Sequence, residues 1–117
     1  MGSRAAGQLT EDELMRMFCF HCRDGEDGGK LRAVHREAHL KFLADNAADF
    51  VLAGPLKRAD GLIIGSLLIV KGRDEAEARA RLENDPYLTG GVWQSIRVDE
   101  FSPLLGDWVY GMAKPAG

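Results

Sequence analysis

The sequence has no basic tract, no long apolar run and few cysteines. Lysine and arginine together number 15 against 18 acidic residues, which gives a formal charge of −3. The electrostatic footprint of a nucleic-acid-binding protein is therefore missing. No apolar stretch approaches the roughly 18–20 residues that a membrane-spanning helix needs, and the N-terminus lacks the features of a signal peptide. We therefore expect a cytoplasmic protein whose partners are neither nucleic acid nor membrane.

The two cysteines, Cys19 and Cys22, have CxxC spacing. The local pattern predicts that both fall within one strand, where positions three apart point to opposite faces of the sheet. Phe18, Phe20 and Cys22 are predicted to share one face, and Met17, Cys19 and His21 the other. A redox CxxC motif usually opens a helix, and a zinc site would need more cysteine or histidine ligands. We therefore predict two reduced thiols with neither a redox nor a metal role.

Motifs for nucleotide binding and for covalent catalysis are also missing. The pairs Gly28-Gly29 and Gly90-Gly91 are turn signals and do not belong to a GxxxxGK pattern. The sequence contains no nucleophile-elbow motif, and Cys22 has no evident activating partner. A phosphate-binding loop and a serine or cysteine nucleophile are therefore not expected.

The length and composition suggest a single domain. The chain has 117 residues, of which 45% are hydrophobic, enough for a self-standing core. Residues 1–13 carry no sustained periodicity and are expected to form a flexible N-terminal arm. Residues 14–117 are expected to form the domain itself.

The hydrophobic pattern predicts strands and helices in the order β-α-β-β-α-β. The predicted strands are 15–22, 50–56, 62–72 and 90–101, the predicted helices are 31–48 and 73–85, and 104–112 could add a last strand. This order is typical of the ferredoxin-like α+β fold, in which both helices cover one face of an antiparallel sheet. Because the strands are apolar on both sides, the uncovered face predicts a homodimer whose sheets pack face to face.

The helix predicted at 31–48 has two neighbouring apolar faces with histidines between them. The residues of these faces are Leu31, Val34, Ala38 and Phe42 on one and Leu40, Leu43 and Ala47 on the other. His35 and His39 lie between the faces at the spacing of a metal-binding pair. A metal site would want a third protein ligand and an open position. His21, on a strand, could approach, although nothing in the sequence requires it.

Several segments occur in the order and spacing of a known family. They are REAHLKFL, AGPL, GSLLIV, DEAEARARLENDPY and GGVW. Together they resemble the YciI-like (YCII-related) family over about residues 16–101. The resemblance implies a dimeric α+β barrel built on the ferredoxin-like fold, with a His-Asp pair in a cleft as the active site and no cofactor. One relative is a dehydrochlorinase of an aromatic catabolic pathway.

The resemblance also assigns site residues. The family's motif positions fall, in chain order, on Cys22, Asp24, Arg36, His39, Gly54, Pro55, Gly65, Ser66 and Asp85. Its catalytic pair corresponds to His39 and Asp85. The sequence departs from the family pattern at His21, where an apolar residue is usual, and in the run after Phe101. His35 has no counterpart in the pattern, so a metal site is not expected.

His39 is predicted to act as a general acid and base, because imidazole takes up and releases protons near neutral pH. Asp85 would orient the other ring nitrogen and stabilise the imidazolium. It is expected at the C-terminal end of the second helix, where the helix dipole disfavours a carboxylate. The alternative for His39 is a half-buried histidine bonded to backbone, with no role in chemistry.

Three further residues have alternative roles. Arg36 either holds an anionic group of the substrate or neutralises Asp85, or it is simply solvated. Ser66 either directs its hydroxyl into the cleft or packs against a helix. Tyr87 either lines the pocket or packs in the core.

The main functional hypothesis is a small-molecule enzyme that performs lyase, isomerase or dehydrochlorinase-like chemistry through the His39–Asp85 dyad. The alternative is a non-catalytic dimeric module that binds a small ligand or a partner protein, since one fold supports many roles. A cofactor-independent monooxygenase of the dimeric α+β barrel type fits the His-Asp set less well. The sequence does not identify the substrate.

Overall fold

The computed structural model describes residues 15–107. The predicted arm at 1–13 lies outside this range, as does most of the possible strand at 104–112. The described elements are β1 Arg16–Asp24, α1 Gly28–Asp45, a 3-10 turn Ala47–Asp49, β2 Phe50–Lys57, β3 Ile63–Gly72, α2 Glu75–Leu82, α3 Pro86–Thr89 and β4 Trp93–Phe101. Within this part of the chain, no helix is long and apolar enough to cross a membrane.

The four strands form one sheet in the order β2-β3-β1-β4. Each neighbouring pair is antiparallel. Since β1 and β3 are central and each helix follows a strand, this is the predicted ferredoxin-like α+β arrangement. The fold class read from the sequence is therefore confirmed, whereas the face-to-face dimer stays a prediction.

The core lies between the helices and one face of the sheet. Side chains alternate across a strand, so Phe18, Phe20 and Cys22 of β1 point to the same side, as predicted, and all three are buried. Phe20 is paired with Leu68 of β3 in the sheet register. The core cluster comprises these residues together with Val70, Ala78, Leu82, Tyr87, Val92 and Trp93.

The opposite face of the sheet is apolar at its centre and carries the exposed Arg97–Asp99 ion pair of β4 at one side. By alternation it carries Cys19 and His21 of β1, which are paired in register with Ile69 and Leu67 of β3. Ile69 is only 5% exposed, although it is not part of the helix-side core cluster. This face, which we call the second face, has no helix among the described residues packed against it.

Helix α1 differs from its prediction in its start and in its buried face. It begins at Gly28, within the stretch read as a turn, and ends at Asp45. Val34, placed on a predicted apolar stripe, is 68% exposed, whereas His39 is buried. The inward face therefore carries a polar residue that finds a hydrogen-bonding partner, and apolar periodicity alone does not reveal it.

The predicted second helix is divided into two. Asp74 caps α2, with its side chain accepting the backbone N–H of Glu77 at 2.8 Å. The helix ends at Leu82, and Pro86 begins a further short helix, α3, instead of simply stopping the first. Proline suits the first helical position because its missing N–H would have no partner there. Asp85 thus precedes a helix and does not end one.

Candidate active site

His39 and Asp85 lie in direct contact. His39 comes from α1 and Asp85 from the residue before α3, and the His39 Nδ1 to Asp85 Oδ1 distance is 2.7 Å. His39 is 8% exposed and Asp85 is 0% exposed. The same Asp85 oxygen accepts the backbone N–H of Tyr87 at 2.9 Å. This cap stabilises the carboxylate, so the expected cost of a carboxylate at a helix C-terminus was wrong.

The surroundings of the dyad fix the ring of His39. The imidazole stacks on the ring of Tyr87, with centroids 3.7 Å apart and planes 6° from parallel. The second carboxylate oxygen of Asp85 is buried and has no hydrogen-bonding partner within residues 15–107. With Nδ1 donating to Asp85, Nε2 is the nitrogen left to exchange a proton with a ligand.

Arg32 is the central cation of the site, although it is not among the residues predicted from the sequence. Its Nε donates to Asp24 Oδ2 at 2.6 Å and its Nη2 to Asp24 Oδ1 at 2.9 Å. Nη2 also lies 2.8 Å from the carbonyl oxygen of Gly65 and 2.8 Å from Ser66 Oγ. Burial lowers the pKa of Arg32, but the hydrogen bonds and charge of Asp24 outweigh it and raise the pKa overall. The guanidinium also lies 5.0 Å from the centroid of the Tyr87 ring.

The Arg32–Asp24 pair depends on a glycine at the start of α1. A Cβ atom on Gly28 would come within 2.6 Å of the Asp24 Cβ and 2.7 Å of its Oδ2. Only a residue without a side chain leaves room for the carboxylate there. Asp24 is the signal that could have identified Arg32. It is one of the family's motif positions, and a buried carboxylate needs a cation as its partner.

Ser66 lies on β3 beside this pair. It is 4% exposed. Its hydroxyl oxygen accepts hydrogen bonds from Arg32 Nη2 and, at 3.2 Å, from Trp93 Nε1. Trp93 also contacts His39 edge to face, with ring centroids 6.4 Å apart. Ser66 and Trp93 thus connect Arg32 to the aromatic group around the dyad.

These residues surround a cavity of about 240 Å³ between α1 and the sheet. Its lining residues are Arg32, Arg36, His39, Leu40, Leu43, Ala53, Gly54, Pro55, Ile63, Ser66, Leu68 and Tyr87. Of the residues predicted to act on or bind a substrate, all except Asp85 line it, whereas the motif residues Cys22, Asp24 and Gly65 do not. Asp85 is connected to the cavity through His39. An engineered cavity of about 150 Å³ holds benzene, so this volume suits one substituted ring. The functional roles of the lining residues stay predictions.

Arg36 adds charge at this cavity. It is exposed and makes no ion pair or hydrogen bond with the rest of the described chain, so it does not neutralise Asp85. Arg32 is paired with Asp24, and His39 with Asp85. Arg36 is therefore the lining cation without a carboxylate partner among residues 15–107, and it gives the cavity a positive potential.

The remaining histidines and cysteines do not join the cavity. His35 packs against α3, where a Cβ on Gly90 would come within 2.5 Å of its ring. Cys22 is buried behind the site, and this burial, with the charge of Asp85, raises its pKa to about 12. Both cysteines are free thiols. Among residues 15–107 no three histidine, cysteine or acidic side chains are grouped to hold a metal ion.

The fold is similar to that of a solved enzyme. This is the 5-chloro-2-hydroxyhydroquinone dehydrochlorinase TftG from Burkholderia phenoliruptrix AC1100, in complex with 2,5-dihydroxybenzoquinone. The TM-score is 0.65 at 24% identity, over 74% of this chain and 93% of that chain. Two further structures have TM-scores too low to support an argument. They are PA3566 from Pseudomonas aeruginosa (0.47, 14% identity, 78% of this chain, 95% of that chain) and Rv0793 from Mycobacterium tuberculosis (0.46, 15%, 80%, 98%).

The family comparison covers most of the chain. No curated protein matches the sequence. The YCII-related domain matches residues 15–102, which include every strand and helix described above and both members of the His39–Asp85 pair. The chain therefore belongs to the family of YCII-related domains.

Proposed function

We propose that this protein is a small-molecule enzyme in which His39 transfers protons and Asp85 orients it. The observation that carries the proposal is the 2.7 Å contact between His39 Nδ1 and a fully buried Asp85 oxygen, beside a cavity of about 240 Å³. A carboxylate on one ring nitrogen selects the tautomer and stabilises the imidazolium that forms when the other nitrogen takes a proton. No cofactor takes part in this scheme.

The proposed reaction class is lyase or isomerase chemistry, with dehydrochlorination as the specific candidate. Its support is the fold shared with TftG, whose name states a dehydrochlorinase activity. In an elimination of this kind, His39 Nε2 takes a proton from the substrate. The electron pair left behind forms a new π bond, and chloride leaves with its bonding electrons. The imidazolium then returns its proton to water.

The substrate is proposed to be a single ring that carries an anionic or acidic group. The cavity has room for one substituted ring, and Tyr87 forms part of its wall. Arg36, without a carboxylate partner in the described part of the chain, would hold the anionic group. Gly54 and Pro55 would form the wall on the side of β2.

The test is chloride release from 5-chloro-2-hydroxyhydroquinone by the purified protein and by two variants. Loss of general acid–base catalysis in His39→Gln should lower kcat by about 10²–10⁴-fold. Asp85→Asn should lower kcat by about 10²-fold or more, because the amide can stabilise the wrong tautomer. Arg58→Gln is the control, since Arg58 forms an exposed pair with Asp60 and neither residue lines the cavity.

Unchanged turnover in His39→Gln would overturn the dyad mechanism. The alternative function is a non-catalytic dimeric module that binds a small ligand or a partner protein. It becomes preferred if 2,5-dihydroxybenzoquinone binds with micromolar affinity while no member of a panel of chlorinated and hydroxylated benzenes is converted. The apolar second face, with Leu67 and Ile69, supports the dimeric part of both functions.

A further inference from the structure

We infer that the Ser66 hydroxyl is a dedicated hydrogen-bond donor for a substrate oxygen that carries or develops negative charge. Arg32 and Trp93 are the positioning residues that hold it in this role. The inference rests on the proposed function and narrows its substrate class to enols, phenols and carbonyl compounds, whose oxygen takes up charge when a proton is removed.

The Ser66 hydroxyl already accepts two hydrogen bonds. A serine hydroxyl has one hydrogen to donate and two lone pairs to accept with. Ser66 Oγ lies 2.8 Å from Arg32 Nη2 and 3.2 Å from Trp93 Nε1. A guanidinium and an indole N–H can only donate. Both lone pairs are therefore occupied, and any further hydrogen bond of this hydroxyl must use its own hydrogen.

The hydrogen of the Ser66 hydroxyl lacks an acceptor in the described part of the chain. Within residues 15–107 no carbonyl, carboxylate or other acceptor takes a hydrogen bond from Ser66. The side chain is almost fully buried, yet it lines the cavity. A buried donor without an acceptor is destabilising, and a ligand oxygen in the cavity would remove this cost.

The charges around the Ser66 hydroxyl favour an anionic oxygen as its acceptor. Donation from a guanidinium polarises the O–H group and strengthens its own donation. Arg32 is neutralised in part by Asp24, so it acts as an oriented dipole, while Arg36 supplies an unbalanced positive charge at the same cavity. The acidic side chains that lie nearby, Asp24 and Asp85, are each paired with a cation or with His39. An oxyanion is therefore the group that best fits this position.

The same contacts argue against Ser66 as a nucleophile. A serine nucleophile needs a base within hydrogen-bond reach to take its proton. The two partners of Ser66 are donors, and His39 is not among them. The hydroxyl keeps its proton and offers it to the ligand. When His39 removes a proton from the substrate, the electron pair moves onto the conjugated oxygen, and Ser66 stabilises the charge that appears there.

The experiment uses 4-nitrophenol as the probe, because its phenol and phenolate forms absorb at different wavelengths. Binding to the purified protein is titrated across pH, with 4-nitroanisole and 4-nitrotoluene as ligands that lack the anionic oxygen. The wild-type protein should bind phenolate more tightly than phenol and more tightly than either control ligand. Equal affinity for phenolate and 4-nitroanisole would overturn the inference without the use of any variant.

Two variants then test the residues. Ser66→Ala should weaken phenolate binding by about tenfold or more, the range for a hydrogen bond to a charged group, and leave 4-nitrotoluene binding unchanged. Trp93→Phe should weaken phenolate binding by a smaller factor. Without the indole N–H, the Ser66 hydroxyl can rotate so that its hydrogen points away from the ligand. Equal losses for both ligands, or no loss for either, would contradict a specific donor role.

The outcome is separable from that of the proposed function. His39→Gln removes the general base but keeps Ser66, so its phenolate binding should retain the dependence on Ser66 even when turnover is lost. If turnover did not depend on His39 but phenolate binding still depended on Ser66, the inference would remain and the dyad mechanism would be rejected. If turnover depended on His39 but phenolate binding did not depend on Ser66, the inference would be rejected and the proposed function would remain.

Discussion

The buried position of Cys22 suppresses the reactivity of its thiol. It lies next to the charge of Asp85 in a fully buried place, and burial raises the pKa of its thiol from an ordinary 9.0 to about 12. At pH 8 only about one thiol in ten thousand would be ionised at that pKa. The thiolate is the reactive form, so a low reactivity follows from both ionisation and access.

We therefore expect iodoacetamide at pH 8 to leave Cys22 unmodified in the folded protein and to modify it after denaturation. Mass spectrometry of the labelled peptides would measure this. Cys19, which is half-buried on the second face, provides the internal comparison. Labelling of Cys22 at the rate of a free thiol under native conditions would show that the site opens readily to solvent.

Arg32 and Arg36 lie one helical turn apart yet differ in what each stabilises. Both ion-pair partners Arg32 and Asp24 are largely buried, whereas Arg36 is exposed. Arg32→Gln would leave the Asp24 carboxylate buried without its counter-charge, which costs about 3–5 kcal/mol. Arg36→Gln should change the free energy of unfolding by no more than about 0.5 kcal/mol. Urea denaturation of the two variants measures this contrast, and equal losses would show that Asp24 finds another partner.

At the scale of the element, the start of α1 is set by two adjacent glycines with different surroundings. A Cβ on Gly28 would collide with Asp24, whereas a Cβ on Gly29 meets nothing within 4 Å. Alanine is intrinsically better than glycine in a helix by up to about 1 kcal/mol. Gly29→Ala should therefore be neutral or stabilising, while Gly28→Ala should be destabilising because it displaces the carboxylate that holds Arg32.

Thermal unfolding of these two variants provides the measurement, and 4-nitrophenol binding provides a second one. Gly28→Ala should weaken binding as well as stability, since Ser66 loses the orientation that Arg32 imposes. Gly29→Ala should leave binding unchanged. If both variants were stabilised alike, the close approach of Asp24 to Gly28 would not be a constraint in solution.

The elements also show what a sequence can and cannot predict. Alternation in β1 identified Phe18, Phe20 and Cys22 correctly, because a central strand must bury one side. In α1 the placement of Val34 on an apolar stripe was wrong, because the inward positions include the polar His39 as well as leucines, and its partner Asp85 comes from a distant part of the chain. Arg32 and Arg36 are equivalent by spacing alone. Only the position of Asp24 at the end of β1, a tertiary fact, distinguishes them.

At the scale of the whole molecule, we expect the second face to form the interface between subunits. Ile69 and Leu67 lie at the centre of the sheet, on the side that no described helix covers. A stable protein interface buries roughly 800 Å² on each partner, and a four-stranded sheet face can supply an area of that order. We therefore expect a homodimer in which two second faces pack together, consistent with the apolar pattern of β3.

Leu67→Glu would place two carboxylates, one from each subunit, in this interface and should convert the dimer to a monomer. Sedimentation velocity measures the change, with circular dichroism to show that the sheet is retained. Val34→Glu is the matched control, since it puts the same charge on the exposed face of α1 and should leave the dimer intact. A wild-type monomer at high micromolar concentration would exclude this assembly. Dissociation by Val34→Glu instead of Leu67→Glu would move the interface to the exposed face of α1.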